Sequence, residues 1–219
     1  MTLMSKLLIA CETISDELNK TIRDISSDIQ ILWVESGLHN TPKKLHERLQ
    51  KLLESLSGYD TVLMAFGLCG NSIVGLETGG YQIIIPKVDD YISLLLGSAK
   101  KRDQVSAGGT YFLTKGWMRG EQNIWVEYKN AVKRYGQETA EQIMTKMFGH
   151  YEYLALLDTD SYNIDTLWPE VIKIAGKFNL KPKVIPASVR YLRDLLTGPW
   201  DDDRFLTVPP YSQIENFPI

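Results

Sequence analysis

The stretch Val62–Ser72 constrains the fold more than any other part of the chain. An apolar run, Val62-Leu63-Met64-Ala65-Phe66, stops at Gly67-Leu68-Cys69-Gly70-Asn71-Ser72. A short apolar run closed by glycine fits a strand covered on both faces, as in a parallel sheet. Gly67 and Gly70 let the backbone turn sharply at the carboxyl end of that strand, which is where open α/β sheets bind ligands. Cys69 is therefore expected on the functional rim, near the start of a short helix over about 71–76, whose backbone N–H groups would favour a thiolate. The plain alternative is an inert cysteine beside a structural turn.

The rest of the chain alternates in the same way. Strands are expected over 6–11, 29–35, 61–66, 82–85, 110–114, 153–158, 183–186 and 205–208. Between them, helices are expected over 15–25, from Thr41-Pro42 to about 57, over 89–98, over 121–149 with a break near Gly136, over 166–177 and over 188–197. Thr41 suits a helix cap and Pro42 a first helical position. Leu45, Leu49, Leu52, Leu53 and Leu56 form an apolar stripe at helical spacing. Alternating strands and helices imply an α/β, Rossmann-like fold, with mostly parallel sheet and helices on both faces.

An internal echo suggests duplication. Ile85-Pro86, Tyr91-Ile92 and Leu95-Leu96 recur as Ile185-Pro186, Tyr191-Leu192 and Leu195-Leu196, and each copy is followed by Phe-Leu-Thr. The chain is thus expected to be a single α/β unit over 1–219, with two similar lobes, 1–120 and 121–219, and a ligand cleft between them.

A net charge of −3 over 219 residues lacks the basic excess that marks nucleic-acid binding. Lys100-Lys101-Arg102 reads as a solvated last helical turn. No apolar run reaches the roughly 20 residues of a membrane span. The apolar start at 7–11 is short for a signal segment, so a cytoplasmic location is expected. Two cysteines point to free thiols, a metal or redox chemistry. No CxxC, HExxH, GxSxG, GxGxxG or Walker loop is present.

Polar groups gather at the expected strand ends. They are Cys11-Glu12, Glu35 with His39 beyond it, Cys69 with Asn71, Asp89-Asp90, and Asp158 with Asp160. Cys11, Cys69 and His39 have the donor types of a soft or borderline transition-metal site. Gly67, Gly70, Asn71, Asp89, Asp90 and Trp117 are candidates for holding a cofactor, although Asp89-Asp90 also suits a helix cap. As a catalytic set, Cys69 would be the thiol nucleophile and His39 or Glu12 its proton partner. His46 is expected on the solvent side of its helix, and His150 has no evident partner.

The segments LLIACE at 7–12, GLHNTPKKL at 37–45, FGLCGN at 66–71, IPKVDDYISLLLGS at 85–98, TYFLTKGW at 110–117 and FLTVPP at 205–210 together resemble the DUF1638 family. The resemblance implies a cytosolic protein of anaerobes, encoded among corrinoid-dependent methyltransferase and methylamine or betaine demethylation genes. It also implies a cysteine where this chain has Tyr91, so that a set of three thiols is altered here. A corrinoid is then a candidate cofactor beside a transition metal, and a corrinoid protein or methyltransferase a candidate partner. The expected function is an accessory protein that binds a metal, corrinoid or related cofactor in one-carbon methyl transfer. The alternatives are a small-substrate enzyme using Cys69 as a transferase-like thiol, and a scaffold for a methyltransferase complex.

Overall fold

The computed structural model describes residues 5–106 and 108–219, less the side chains of residues 39 and 40. The first half runs β1 (Lys6–Cys11), α1 (Ser15–Asp24), β2 (Gln30–Val34), α2 (Pro42–Glu54), β3 (Thr61–Ala65), β4 (Gln82–Pro86), α3 (Tyr91–Leu96) and α4 (Ala99–Val105). It continues with β5 (Thr110–Leu113), α5 (Lys115–Arg119), α6 (Ile124–Tyr135), α7 (Gln137–Phe148) and β6 (Tyr153–Asp158). The chain then forms α8 (Ile164–Lys177), β7 (Lys181–Pro186), α9 (Arg190–Thr197) and β8 (Phe205–Val208).

The strands build two sheets. One has the order β2-β1-β3-β4-β8, parallel except for β8; the other is a parallel β5-β6-β7. Alternate residues of β1 go to opposite sides. Leu8 and Ala10 pack with α1, α3 and α9, whereas Leu7, Ile9 and Cys11 pack with Leu45, Leu49 and Leu53 of α2. In β6, Ala155 and Leu157 face the same α1/α3/α9 core, while Leu154 and Leu156 face α6, α7 and α8. The layers are therefore α2, the first sheet, a shared middle layer of α1, α3 and α9, the second sheet, and an outer layer of α6 to α8. The echoed Phe-Leu-Thr strands fall in different sheets: β5 lies parallel to β6, and β8 antiparallel to β4. The exposed outer strand β7 carries Pro182, Pro186 and two lysines, features that discourage edge-to-edge pairing.

Three local expectations change. Residues 71–75 form turns instead of a helix, because Cys69, Gly70 and Asn71 all take left-handed backbone angles (φ 47°, 67° and 64°) that interrupt helical geometry. Thr41 starts α2 without a side-chain capping bond; Pro42 biases the preceding residue toward extended backbone. The expected 89–98 helix is the shorter α3, closed by Gly97 at φ 91°, and an unexpected helix follows it, where Ser98 caps α4 by accepting from the Lys101 N–H at 3.1 Å.

Candidate functional site

In the first sheet the connections leave β1 in one direction toward β2 and in the other toward β3 and β4. The crevice at the carboxyl ends of β1 and β3 is thus the topological switch point, the usual ligand position in an open α/β sheet. Cys11 ends β1 and Cys69 lies in the loop after β3, so the two thiols flank that crevice. Of the expected rim, Cys11 and Cys69 lie at these two strand ends.

The Cys69 loop is clamped from two sides. The N–H groups of Leu68 and Cys69 donate to Val88 O and Asp89 O at 2.9 and 2.7 Å. A Cβ on Gly67 would stand 2.4 Å from Val88 O, so only glycine permits this approach. Gly70 packs on the Pro42 ring. His46, expected in solvent, is half-buried, with Nδ1 3.0 Å from Ser72 O. It fixes the far end of the loop because α2 leans over it.

A cleft of about 360 Å³ opens beside the loop, lined by Pro42, Cys69, Gly70, Asp89, Asp90, Tyr91, Arg102 and Trp117. Asp90 caps α3 by accepting from the Ile92 and Ser93 N–H groups at 2.9 and 3.2 Å. Arg102 of α4 pairs with Asp90 at 3.0 Å and Asp89 at 3.6 Å. Of the basic cluster, Lys100 and Lys101 are exposed as expected, and Arg102 supplies a wall of the cleft. The signal for it was Gly97-Ser98, a stop followed by a new cap, which places Arg102 one turn into a second helix. Asp90→Ala is expected to lower stability by about 1–2 kcal/mol, the usual cost of losing a helix cap. It would also release Arg102, and urea unfolding compared with Asp90→Asn would separate the cap from the ion pair.

The thiols do not behave as the expected helix start would dictate. Burial, then the nearby Asp90 carboxylate, pushes Cys69 up to about 12, although its residue keeps some surface on the cleft. Cys11 is buried, and its burial pushes it up to about 11. Its S–H donates to Thr13 Oγ1 at 3.1 Å. Cys11 also acts on both Cys69 and Tyr91 as a like charge, which puts the three groups in one electrostatic neighbourhood. The Tyr91 ring stands 6.2 Å from that of Trp117. The backbone N–H bonds that do reach the sulfurs, Thr13 N–H to Cys11 Sγ at 3.4 Å among them, do not outweigh the desolvation, and both thiols are held protonated near neutral pH.

Glu12 turns away from this cleft. It lines a second one of about 350 Å³ with Ser15, Asn19, Trp33, Ser36, Gly116, Arg119 and Gly120. The short helix α5 divides the two, sending Trp117 to one and Arg119 to the other. It is pressed onto the 3-10 turn Glu12–Ile14: a Cβ on Gly116 would meet Thr13 O at 2.1 Å, and Thr114 Oγ1 lies 3.4 Å from the same carbonyl. Lys115 and Arg119 both pair with Asp16, at 3.0 and 2.6 Å. Glu17 points inward from α1 and is fully buried. Its Oε1 accepts from the Thr159 hydroxyl at 3.2 Å, and its Oε2 has no hydrogen-bond partner among the described residues. Burial raises Glu17 to about 7. A larger cleft of about 420 Å³ lies among α6, α7 and α8, at the amino-terminal side of β6 and β7, beside the Lys177–Glu141 pair (2.6 Å). None of the residues expected from the sequence lines it.

The side chain of His39 lies outside the described residues. Among the described residues, no three His, Cys, Asp or Glu side chains converge closely enough to hold a metal ion. None of the described helices is long and apolar enough to cross a membrane.

Fold and site together define a doubly wound α/β protein with a thiol-flanked crevice at its switch point. A family model described as a protein of unknown function, DUF1638, matches residues 33–196, most of the chain, so the protein belongs to that family. Cys69, Tyr91, Arg102, Trp117 and Arg119 fall within the matched stretch, and Cys11 and Glu12 precede it. No curated protein and no solved structure matches the chain.

Proposed function

We propose that the protein binds a soft metal ion, or the metal of a cofactor, between Cys11 and Cys69, as an accessory component of one-carbon methyl transfer. The observation that carries this reading is the placement of two cysteines at the carboxyl ends of β1 and β3, on either side of the switch point, with Cys69 and Tyr91 lining the cleft. A thiol pushed up to about 11 or 12 is a poor nucleophile at neutral pH. A bound metal ion removes that obstacle, because coordination deprotonates a thiol outright. Two protein thiolates leave coordination positions for ligands that the cofactor brings, or for Tyr91 and His39. A cleft of about 360 Å³ accepts an ion with small ligands, not a whole corrinoid. A corrinoid, or the protein that carries it, would present its metal from outside.

The test is anaerobic purification from cells supplied with cobalamin and trace metals, followed by elemental analysis and a visible spectrum of the same sample. The expected result is close to one metal per chain, lost in Cys69→Ala and in Cys11→Ala. A metal-free protein, or metal retained in both variants, would sink the proposal. In that event, alkylation of Cys69 well below pH 8 would point to the thiol-enzyme alternative.

A further inference from the structure

We propose that the second cleft, between the ends of β1 and β2 and helix α5, binds a small zwitterion: an amino-acid-like molecule with a cationic end and a carboxylate end. The cleft holds one unpaired anion and one cation with capacity to spare. The Glu12 side chain is exposed and makes no hydrogen bond or ion pair among the described residues. Arg119 engages Ser15 Oγ and Asp16 Oδ2 through Nη2 alone, at 3.0 and 2.6 Å, and Nε and Nη1 remain for a ligand. Because Lys115 shares Asp16 with Arg119, one carboxylate faces two cations, and that side of the cleft is left positive. Glu12 and Arg119 line the same space without pairing to each other, so they stand more than 4.0 Å apart, a gap that a ligand with two opposite charges can bridge.

The other walls fit the same ligand. Trp33, half-buried near the end of β2, lines the cleft with an aromatic side chain, which suits an ammonium or an aliphatic stem. Asn19, Ser15 and Ser36 supply short polar groups that orient without adding charge. A guanidinium fork recognises a carboxylate through two parallel bonds, which a lysine cannot reproduce. Both charged ends rest on rigid supports. Glu12 opens the turn on which Gly116 is packed, and Arg119 is fixed by Asp16.

The experiment is titration calorimetry of the wild-type protein with each of the twenty L-amino acids at up to about 10 mM, then with the N-acetyl and amide forms of the tightest binder. At least one amino acid is expected to bind. Each single-charge form should bind about tenfold more weakly or worse, the scale of one lost charged contact. Glu12→Gln should weaken the amino acid about tenfold and leave the N-acetyl form unaffected. Arg119→Lys, which keeps the ion pair to Asp16, should weaken the amino acid and leave the amide unaffected. Cys69→Ala should change neither, which separates this cleft from the thiol site. No binding by any of the twenty, or binding that ignores both Glu12→Gln and Arg119→Lys in folded variants, would overturn the proposal.

Discussion

Gly116→Ala is expected to destabilise the protein by roughly 3 kcal/mol, the upper end of the range for overpacking. The added methyl would stand 2.1 Å from Thr13 O and 2.7 Å from its carbonyl carbon, both backbone atoms that no rotamer change can move aside. Either the 3-10 turn after β1 or the helix after β5 must retreat. Those two elements join the carboxyl end of the first sheet to that of the second, so the damage would reach both clefts at once. Gly176→Ala is the control: it sits within α8, where a Cβ meets nothing within 4 Å. There alanine is expected to stabilise by about 0.5 kcal/mol, the helix-propensity difference. Urea unfolding of the two variants side by side reads the result. Equal midpoints would mean that the α5 contact yields easily.

A stability that falls between about pH 4.5 and pH 7, and that Glu17→Gln flattens, is the second large effect expected. Glu17 has its folded-state pKa raised from 4.5 to about 7, chiefly by burial. Below pH 4.5 the carboxyl is protonated in both states and carries no penalty. As pH rises past 4.5 the unfolded chain loses the proton while the folded chain keeps it, so the unfolded state gains. Above about 7 both are ionised and the difference stops growing. A shift of this size corresponds to about 3 kcal/mol lost across the window. Glu17 also matters to the architecture, because its Oε1 receives the Thr159 hydroxyl from the loop after β6, tying α1 to the second sheet. Glutamine keeps an acceptor for Thr159 and cannot ionise. The variant should therefore match the wild type at pH 4 and exceed it by about 3 kcal/mol at pH 8. A wild-type slope that persists in Glu17→Gln would move the titration to another group.

Most of the scaffold was legible in the chain, and the reason is local. Leu45, Leu49 and Leu53 could only face one way, and all three are buried against the first sheet. The glycine at 136 separates α6 from α7 as expected, because φ 78° there is open to glycine and not to most residues. Asp90 likewise acts as the cap that its place before an apolar helix suggested. The site was legible only as a rim. Sequence order put Cys11, Glu12 and Cys69 at strand ends, but which side of the sheet each would take depended on α5, an element contributed from about a hundred residues downstream. Its packing on the Glu12–Ile14 turn sends Glu12 to one cleft and leaves Cys69 in the other. The electrostatics were less legible still. Whether N–H groups or apolar walls surround Cys69 depended on whether 71–76 closed a helix, and three consecutive left-handed residues decided that it does not. Glu17 read as an ordinary acid near a helix start; only the packing of the second sheet against α1 turns it into a buried one.

The return of β8 to the first sheet sets the order in which the protein can be completed during synthesis. The outer edge of β4 pairs only with Phe205–Val208. Every residue of the second sheet leaves the ribosome before that partner does. Until then β4 presents an open apolar edge, Ile83 to Ile85, to anything nearby. The tail beyond β8 then locks the closure, with the Ile214 N–H donating to Leu76 O at 2.8 Å and Ile214 O accepting from the Gly75 N–H at 2.8 Å. The half of the molecule that carries both thiols is started first and finished last, so a chain cut short before residue 205 would expose the edge next to its own ligand crevice.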